Sequence, residues 1–183
     1  MVYKQKYNVN NVKDLAQNRG VKGFYGHNSK NHIVGVECFS QFFKAEFVIN
    51  ELKFSCAEQY MMYMKAKTFG EDRLANEILG LGYDPYKSKK LGRSRMANFD
   101  SKLWDSLSPK VVLDGNIAKF SQNPDILRVL ANTGQTILVE ATNNDFIWGN
   151  GLHISDSKLS KPTEWKGLNQ LGFALMEVRD LLT

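Results

Sequence analysis

Ala45-Glu46-Phe47-Val48-Ile49-Asn50-Glu51-Leu52-Lys53-Phe54-Ser55-Cys56-Ala57-Glu58-Gln59 passes from strand to helix within one short run. Phe47 and Ile49 share a face, and Leu52 and Phe54 share a face after Asn50-Glu51. Two alternating runs joined by two residues predict a β-hairpin, although Asn-Glu is a weaker turn than Asn-Gly. A helix is expected at once, from about Cys56 to Phe69. Ser55-Cys56-Ala57-Glu58 has the form of a capping box, in which the Ser55 hydroxyl and the Glu58 carboxylate satisfy free backbone N–H groups reciprocally.

Outward from this run, helical signals dominate. A second helix is predicted over Glu71 to Leu79, stopped by Gly80 and Gly82, and a basic loop follows from Lys87 to Arg95. Ser108-Pro109 reads as the start of a helix reaching about Phe120, with proline at the permitted first position. Asn123-Pro124 opens another that ends near Gly134. Thr136 to Ala141 is a short, largely apolar strand. A last helix from about Gly167 to Leu182 places Leu168, Leu171, Leu175, Val178 and Leu182 on one stripe. Helices outnumber strands and do not alternate regularly with them. The expected class is therefore α+β, a mainly helical single domain with a small antiparallel sheet.

The chain has 183 residues, 43% of them hydrophobic, which suits one domain with one substantial core. Residues 1–22 read as a polar, loosely packed leader, and residues 23–183 as the domain. The net charge of +5 favours an anionic partner such as a phosphate, a nucleotide or a nucleic acid. Cys38 and Cys56 show no metal-site spacing and are expected as reduced, buried thiols. The first residues lack an apolar signal core, and no stretch approaches the roughly 20 apolar residues that span a bilayer, so a cytoplasmic protein without membrane attachment is expected.

Familiar catalytic signatures are missing: there is no P-loop, GxGxxG, GxSxG or HExxH. His27, His32 and His153 lack metal-ligand spacing and read as surface or loop residues. No metal and no cofactor are expected, which leaves the chemistry to carboxylates, aromatics and amides. Three segments are poorly explained by core packing alone. They are Glu58-Gln59-Tyr60, Asn144-Asp145-Phe146-Ile147-Trp148-Gly149-Asn150-Gly151 and Trp165-Lys166-Gly167-Leu168-Asn169-Gln170-Leu171-Gly172. Beside them, Lys87, Lys89, Lys90, Arg93 and Arg95 place five cations within nine residues.

The order of these segments resembles the YbiA-like, or NADAR, family. The resemblance rests on Phe24-Tyr25, Ser40-Gln41-Phe42, Cys56-Ala57-Glu58-Gln59, Gly92-Arg93, Lys119-Phe120 and Leu138-Val139-Glu140. It continues through Asp145-Phe146-Ile147-Trp148-Gly149, Gly167-Leu168-Asn169-Gln170-Leu171-Gly172 and Leu175-Met176-Glu177-Val178-Arg179. It implies an N-glycosidase that acts on phosphorylated ribosyl-amines, such as early intermediates of riboflavin synthesis, or on ADP-ribose attached to a nucleobase, including ADP-ribosylated nucleic acid. Glu58 and Asp145 are the catalytic candidates that it implies. Phe24, Tyr25, Ser40, Phe42, Arg93, Trp148 and Asn169 are the substrate-binding candidates. Breaking a ribosyl C–N bond builds oxocarbenium-like charge that a fixed carboxylate stabilises. Trp148, with Phe24 or Tyr25, would stack on the base. Asn169, or the helix start it opens, would meet the base edge, the ribose or a phosphate, and Arg93 would clamp the phosphate.

The chain also departs from that pattern. Where the family has histidine after the glutamate and glutamine further along the helix, Gln59 and Met62 stand here; Cys56 replaces a serine and Gln41 an asparagine. These replacements keep a second reading open, a binding module that holds NAD- or ADP-ribose-like ligands without cleaving them. Structural readings stand beside the functional ones: Glu58 as a capping partner, Asp145 as a turn residue, Trp148 as a core plug and the basic run as a solvated surface.

Overall fold

The computed structural model describes residues 3–28 and 33–183, so His32 lies outside the described residues. In chain order the helices and strands are α1 (Val9–Arg19), β1 (Val21–Phe24), β2 (Phe47–Ile49), β3 (Leu52–Phe54), α2 (Ala57–Thr68), α3 (Asp72–Leu79), α4 (Pro85–Gly92), α5 (Ser101–Ser121), α6 (Pro124–Ala131), β4 (Ile137–Glu140) and α7 (Gln170–Leu182). The class is α+β and mainly helical. Contacts divide the chain into two units, one built on Gln41–Asn123 and the other combining Lys4–Ser40 with Pro124–Thr183. No described helix is long and apolar enough to cross a membrane.

In the unit built on Gln41–Asn123, the hairpin forms in the register that the alternation predicts: Phe47 pairs with Phe54 and Ile49 with Leu52. The Phe47 and Phe54 rings stack at 5.8 Å, and Tyr60 of α2 meets them edge-on at 6.1 and 5.1 Å. Both turn residues are left-handed, Asn50 at φ 49° and Glu51 at φ 66°. Asparagine tolerates that conformation, whereas glutamate pays a Cβ clash there. Glu51→Gly should therefore stabilise the protein by about 0.5–1 kcal/mol, after the freedom of glycine in the unfolded chain is counted. The change would be read as a higher urea midpoint. An unchanged or lower midpoint would locate the hairpin's limit in strand pairing instead.

Three local expectations change here. The residue before α2 is Cys56, whose side chain makes no cap bond. Instead Ser55 N–H donates to Gln59 Oε1 at 2.8 Å, and the Ser55 hydroxyl lies 2.9 Å from the same oxygen. Both Ser55 bonds thus end on the one side-chain oxygen of Gln59, one residue beyond Glu58. The expected basic loop is mostly α4, because Asp84 accepts Lys87 N–H at 2.9 Å and Pro85 occupies the first turn. Pro109 does not open a helix but lies inside α5, which starts where Asp100 accepts Leu103 N–H. Proline forfeits one backbone bond there, and the buried Trp104, Ser108, Val111 and Val112 on both sides hold the helix continuous through it.

In the other unit, β1 and β4 pair in parallel, Val21 with Ile137 and Phe24 with Glu140. This pair adds a parallel ladder to the antiparallel hairpin that the sequence predicts. Ile137, Leu138 and Val139 are all fully buried, as the unbroken apolar run of β4 requires. The polar N-terminal stretch is not loose: Asn8 caps α1 in a capping box with Asn11, and Val12 and Ala16 are buried. The final helix starts at Gln170, so Leu168 lies outside it and is exposed, while Leu171, Leu175 and Val178 are buried. Cys38 and Cys56 are free and buried, as expected.

Candidate active site

Within the unit built on Gln41–Asn123 lie Phe42, Glu58 and Arg93. Glu58 stands in the first turn of α2, only 5% exposed, and its backbone N–H donates to the Gln41 carbonyl at 2.9 Å. Cys56, just before it, has a thiol pushed up chiefly by burial; the Glu58 charge raises it further and the Lys119 charge lowers it. One thiol thus feels both a carboxylate and an ammonium. Lys119 is fully buried on α5, with its Nζ 5.7 Å from the Phe43 ring centroid and 5.2 Å from that of Phe120. A lysine so rarely loses all contact with water that its burial marks it as a functional candidate. The sequence reading passed over this role, although Lys119 was part of the resemblance; its burial depends on α5 running through Pro109.

The two departures on α2 have structural tasks. Gln59 accepts from Ser55 and donates through Nε2 to the Ile78 and Leu79 carbonyls at 2.9 and 3.1 Å, which ties the start of α2 to the end of α3. Met62 packs on Gly92, where a Cβ would meet its sulfur at 2.2 Å. Gly92 therefore lets α4 approach α2 closely and sets where Arg93 begins. Arg93 is exposed at the end of α4. Near it, Lys65 donates to the Gly92 carbonyl at 2.9 Å and lies over the Phe99 ring at 4.5 Å. Burial first, and then the Arg93 charge, hold the Lys65 ammonium below the usual lysine range. Two cations that disfavour each other make a place where an anion is welcome. Phe42 is half-buried; Tyr86 meets it edge-on at 5.0 Å and Lys89 Nζ lies 5.3 Å from its ring centroid.

The other unit holds Phe24, Tyr25, Ser40, Asp145, Trp148 and Asn169. Phe24 is 1% exposed and packs edge-on against Phe39, so it belongs to the core; Tyr25, next to it, is 61% exposed. Alternation along β1 leaves Tyr25 as the ring that can stack. Ser40 is half-buried at the end of the 3-10 turn Val36–Phe39. Asp145 Oδ1 accepts the N–H groups of Ile147 and Trp148 at 3.0 and 2.8 Å, an Asx turn that fixes the loop carrying the half-buried Trp148.

Asn169 differs from its expected place at a ligand edge. It is left-handed, fully buried and turned to β4: Oδ1 accepts Glu140 N–H at 3.0 Å and Nδ2 donates to the Leu138 carbonyl at 2.9 Å. Nor does the α7 start offer its free N–H groups to a phosphate, because Gln170 and Leu171 donate to the Ile147 and Trp148 carbonyls at 3.1 Å. The loop and the helix start meet backbone to backbone; a Cβ on Gly167 would lie 2.4 Å from the Gly149 carbonyl oxygen. The end of the resemblance is structural as well. Glu177 accepts Lys6 N–H, and Arg179 donates to Thr133 Oγ1 at 2.8 Å and to the Thr136 carbonyl at 3.0 Å.

Comparison with known proteins identifies the family. A model of the NADAR domain matches residues 23–183. Over 164 residues the chain is 38% identical to an N-glycosidase of Acanthamoeba polyphaga mimivirus, covering 87% of this chain and 95% of the relative. It is 32% identical over 120 residues to the N-glycosidase YbiA of Escherichia coli (strain K12), covering 66% of this chain and 67% of YbiA. The NMR structure of the Escherichia coli protein YbiA superposes with a TM-score of 0.68 at 26% identity, covering 88% of this chain and 84% of that one.

Proposed function

The chain belongs to the NADAR domain family and is an N-glycosidase; from that premise we propose that it hydrolyses the bond between a ribose and a nucleobase-like amine, with Glu58 as the central carboxylate. The substrate is a phosphorylated ribosyl-amine of the riboflavin-intermediate kind or an ADP-ribosylated nucleobase. The observation that carries this reading is the buried Glu58 carboxylate at the start of α2, held by its backbone N–H to the Gln41 carbonyl in a unit that also buries Lys119.

As the C–N bond breaks, its electron pair leaves with the base nitrogen, which takes a proton from solvent, and positive charge grows on the ribose. A carboxylate held away from water stabilises that charge more strongly than a solvated one. Glu58 also orients the attacking water and accepts its proton, which later returns to solvent. In the other unit, Asp145 commits Oδ1 to its own loop and so fixes Trp148. That unit also carries Trp148 and the exposed Tyr25, rings of the kind that stack on a base. Arg93, with Lys65 close by, receives the phosphate. The tasks of Gln59 and Met62 support catalysis over the ligand-holding alternative, because each replacement is absorbed by a packing or hydrogen-bonding role.

Purified protein offered a ribosylamino-pyrimidine phosphate and, separately, ADP-ribosylated guanine DNA should release ribose phosphate or ADP-ribose from one of them. Binding of both without release would replace the glycosidase reading by the ligand-holding one. Arg93→Ala should weaken binding of the phosphorylated substrate by about tenfold or more, the loss of one charge-assisted contact. Unchanged affinity in a titration would return Arg93 to the solvated surface.

A further inference from the structure

Buried polar groups are almost always hydrogen-bonded, so each exception calls for a cause. In the unit built on Gln41–Asn123, two exceptions fall on one bonded pair. Asn116 of α5 is fully buried, and its Nδ2 donates to the Val112 carbonyl at 2.8 Å and to Gln41 Oε1 at 2.9 Å. The Val112 bond fixes which end of the Asn116 amide is the donor, and the Gln41 bond then fixes Gln41. What the pair presents is Gln41 Nε2, a donor, and Asn116 Oδ1, an acceptor. Both atoms are buried without a hydrogen-bond partner, and Gln41 as a whole is 8% exposed.

The pair stands next to the proposed chemistry. The Gln41 carbonyl accepts Glu58 N–H at 2.9 Å. Asn116 precedes the buried Lys119 by about one turn of α5, and Phe42 follows Gln41 in the chain. We propose that Gln41 and Asn116 read the lactam edge of the leaving base: Nε2 donates to the ring carbonyl oxygen and Oδ1 accepts from the adjacent ring N–H. The assignment rests on the N-glycosidase reading. A neutral pair with one donor and one acceptor suits neither a phosphate, which needs donors only, nor an ammonium, which needs acceptors only. A ribose hydroxyl would have to serve both atoms with one oxygen, whereas a lactam gives each its own partner. Gln41 stands where the resemblance has asparagine, so this chain reaches one methylene further toward that edge.

The test uses two ligands that differ only at the lactam N–H: inosine 5′-monophosphate and its N1-methyl derivative. Titrated calorimetrically into the full-length protein, the parent should bind at least tenfold more tightly, because the methyl group removes the partner of Asn116 Oδ1. Gln41→Glu keeps an acceptor for Asn116 Nδ2 but turns an oxygen toward the ligand carbonyl, and should lower affinity for the parent by tenfold or more. Equal affinity for both ligands, or measurable binding of neither, would overturn the assignment. If Gln41→Glu fails to fold, the ligand pair on the unsubstituted protein still decides. Discriminating binding of the two ligands, on a protein that releases no sugar phosphate from the substrates above, would keep the edge reader and remove hydrolysis. Release without discrimination would do the reverse.

Discussion

Glu58→Gln is expected to lower turnover by about 10²–10⁴-fold, the range by which a positioned acid or base speeds proton transfer. The side chain keeps its shape and loses only its charge and basicity. Because the Glu58 backbone N–H carries the bond to the Gln41 carbonyl, the start of α2 should survive the change. Even a Ser55–Glu58 capping box would survive this change, since glutamine accepts the same backbone N–H. Ser55 is in any case bonded to Gln59, so the variant leaves that contact untouched. The measurement is a single-turnover rate beside a thermal melt and a ligand titration. A large fall in rate with an unchanged melting temperature and near-normal affinity assigns Glu58 to the chemistry. Equal turnover by the variant removes Glu58 from the mechanism and moves attention to Lys119, the fully buried lysine of that unit.

Asn169→Ala should produce the largest loss of stability among these substitutions. It strands Glu140 N–H and the Leu138 carbonyl, both served by the one amide, at about 1–3 kcal/mol each. It also places alanine at φ 52°, a conformation that asparagine accepts far more readily. A total of about 2–5 kcal/mol is expected from chemical denaturation. Asn169→Gly separates the two causes, since it relieves the backbone and still removes both bonds. A loss below about 1 kcal/mol for both variants would mean that β4 finds other partners, and the amide would then be available to a ligand after all.

The local signals in the sequence were legible where a pattern and its partner lie close together. The β2–β3 hairpin shows in its alternation because Phe47 and Phe54 are separated by one turn. The apolar run of β4 is equally plain. By contrast β1 is four residues long and contains Gly23, and its ladder partner lies far along the chain, so no local periodicity announces it. The lysines of α4 resemble a loop because a run of like charges is typical of solvated coil, and only the two-residue Asp84-Pro85 cap marks the helix start. Pro109 has the form of a helix start because the true start, at Asp100, lies more than two turns before it. In the candidate site, the family resemblance supplied the names, while burial sorted Phe24 from Tyr25 and turned Asn169 away from a ligand. Gln41 and Asn116 could not be found in this way. Polar residues read as exposed until a structure shows what surrounds them.

The parallel pairing of β1 with β4 has a consequence for synthesis on the ribosome. Residues Gln41–Asn123 form a contiguous unit whose partners are all available once that stretch has emerged. Val21 cannot meet Ile137 until most of the chain has been translated. The early strand must therefore wait, with an unpaired edge, through the whole appearance of the first unit, and closing so long a loop makes its ladder a slow, late event. A stalled or truncated chain ending near Asn123 would carry Glu58, Arg93 and Lys119 but leave that edge open to other chains.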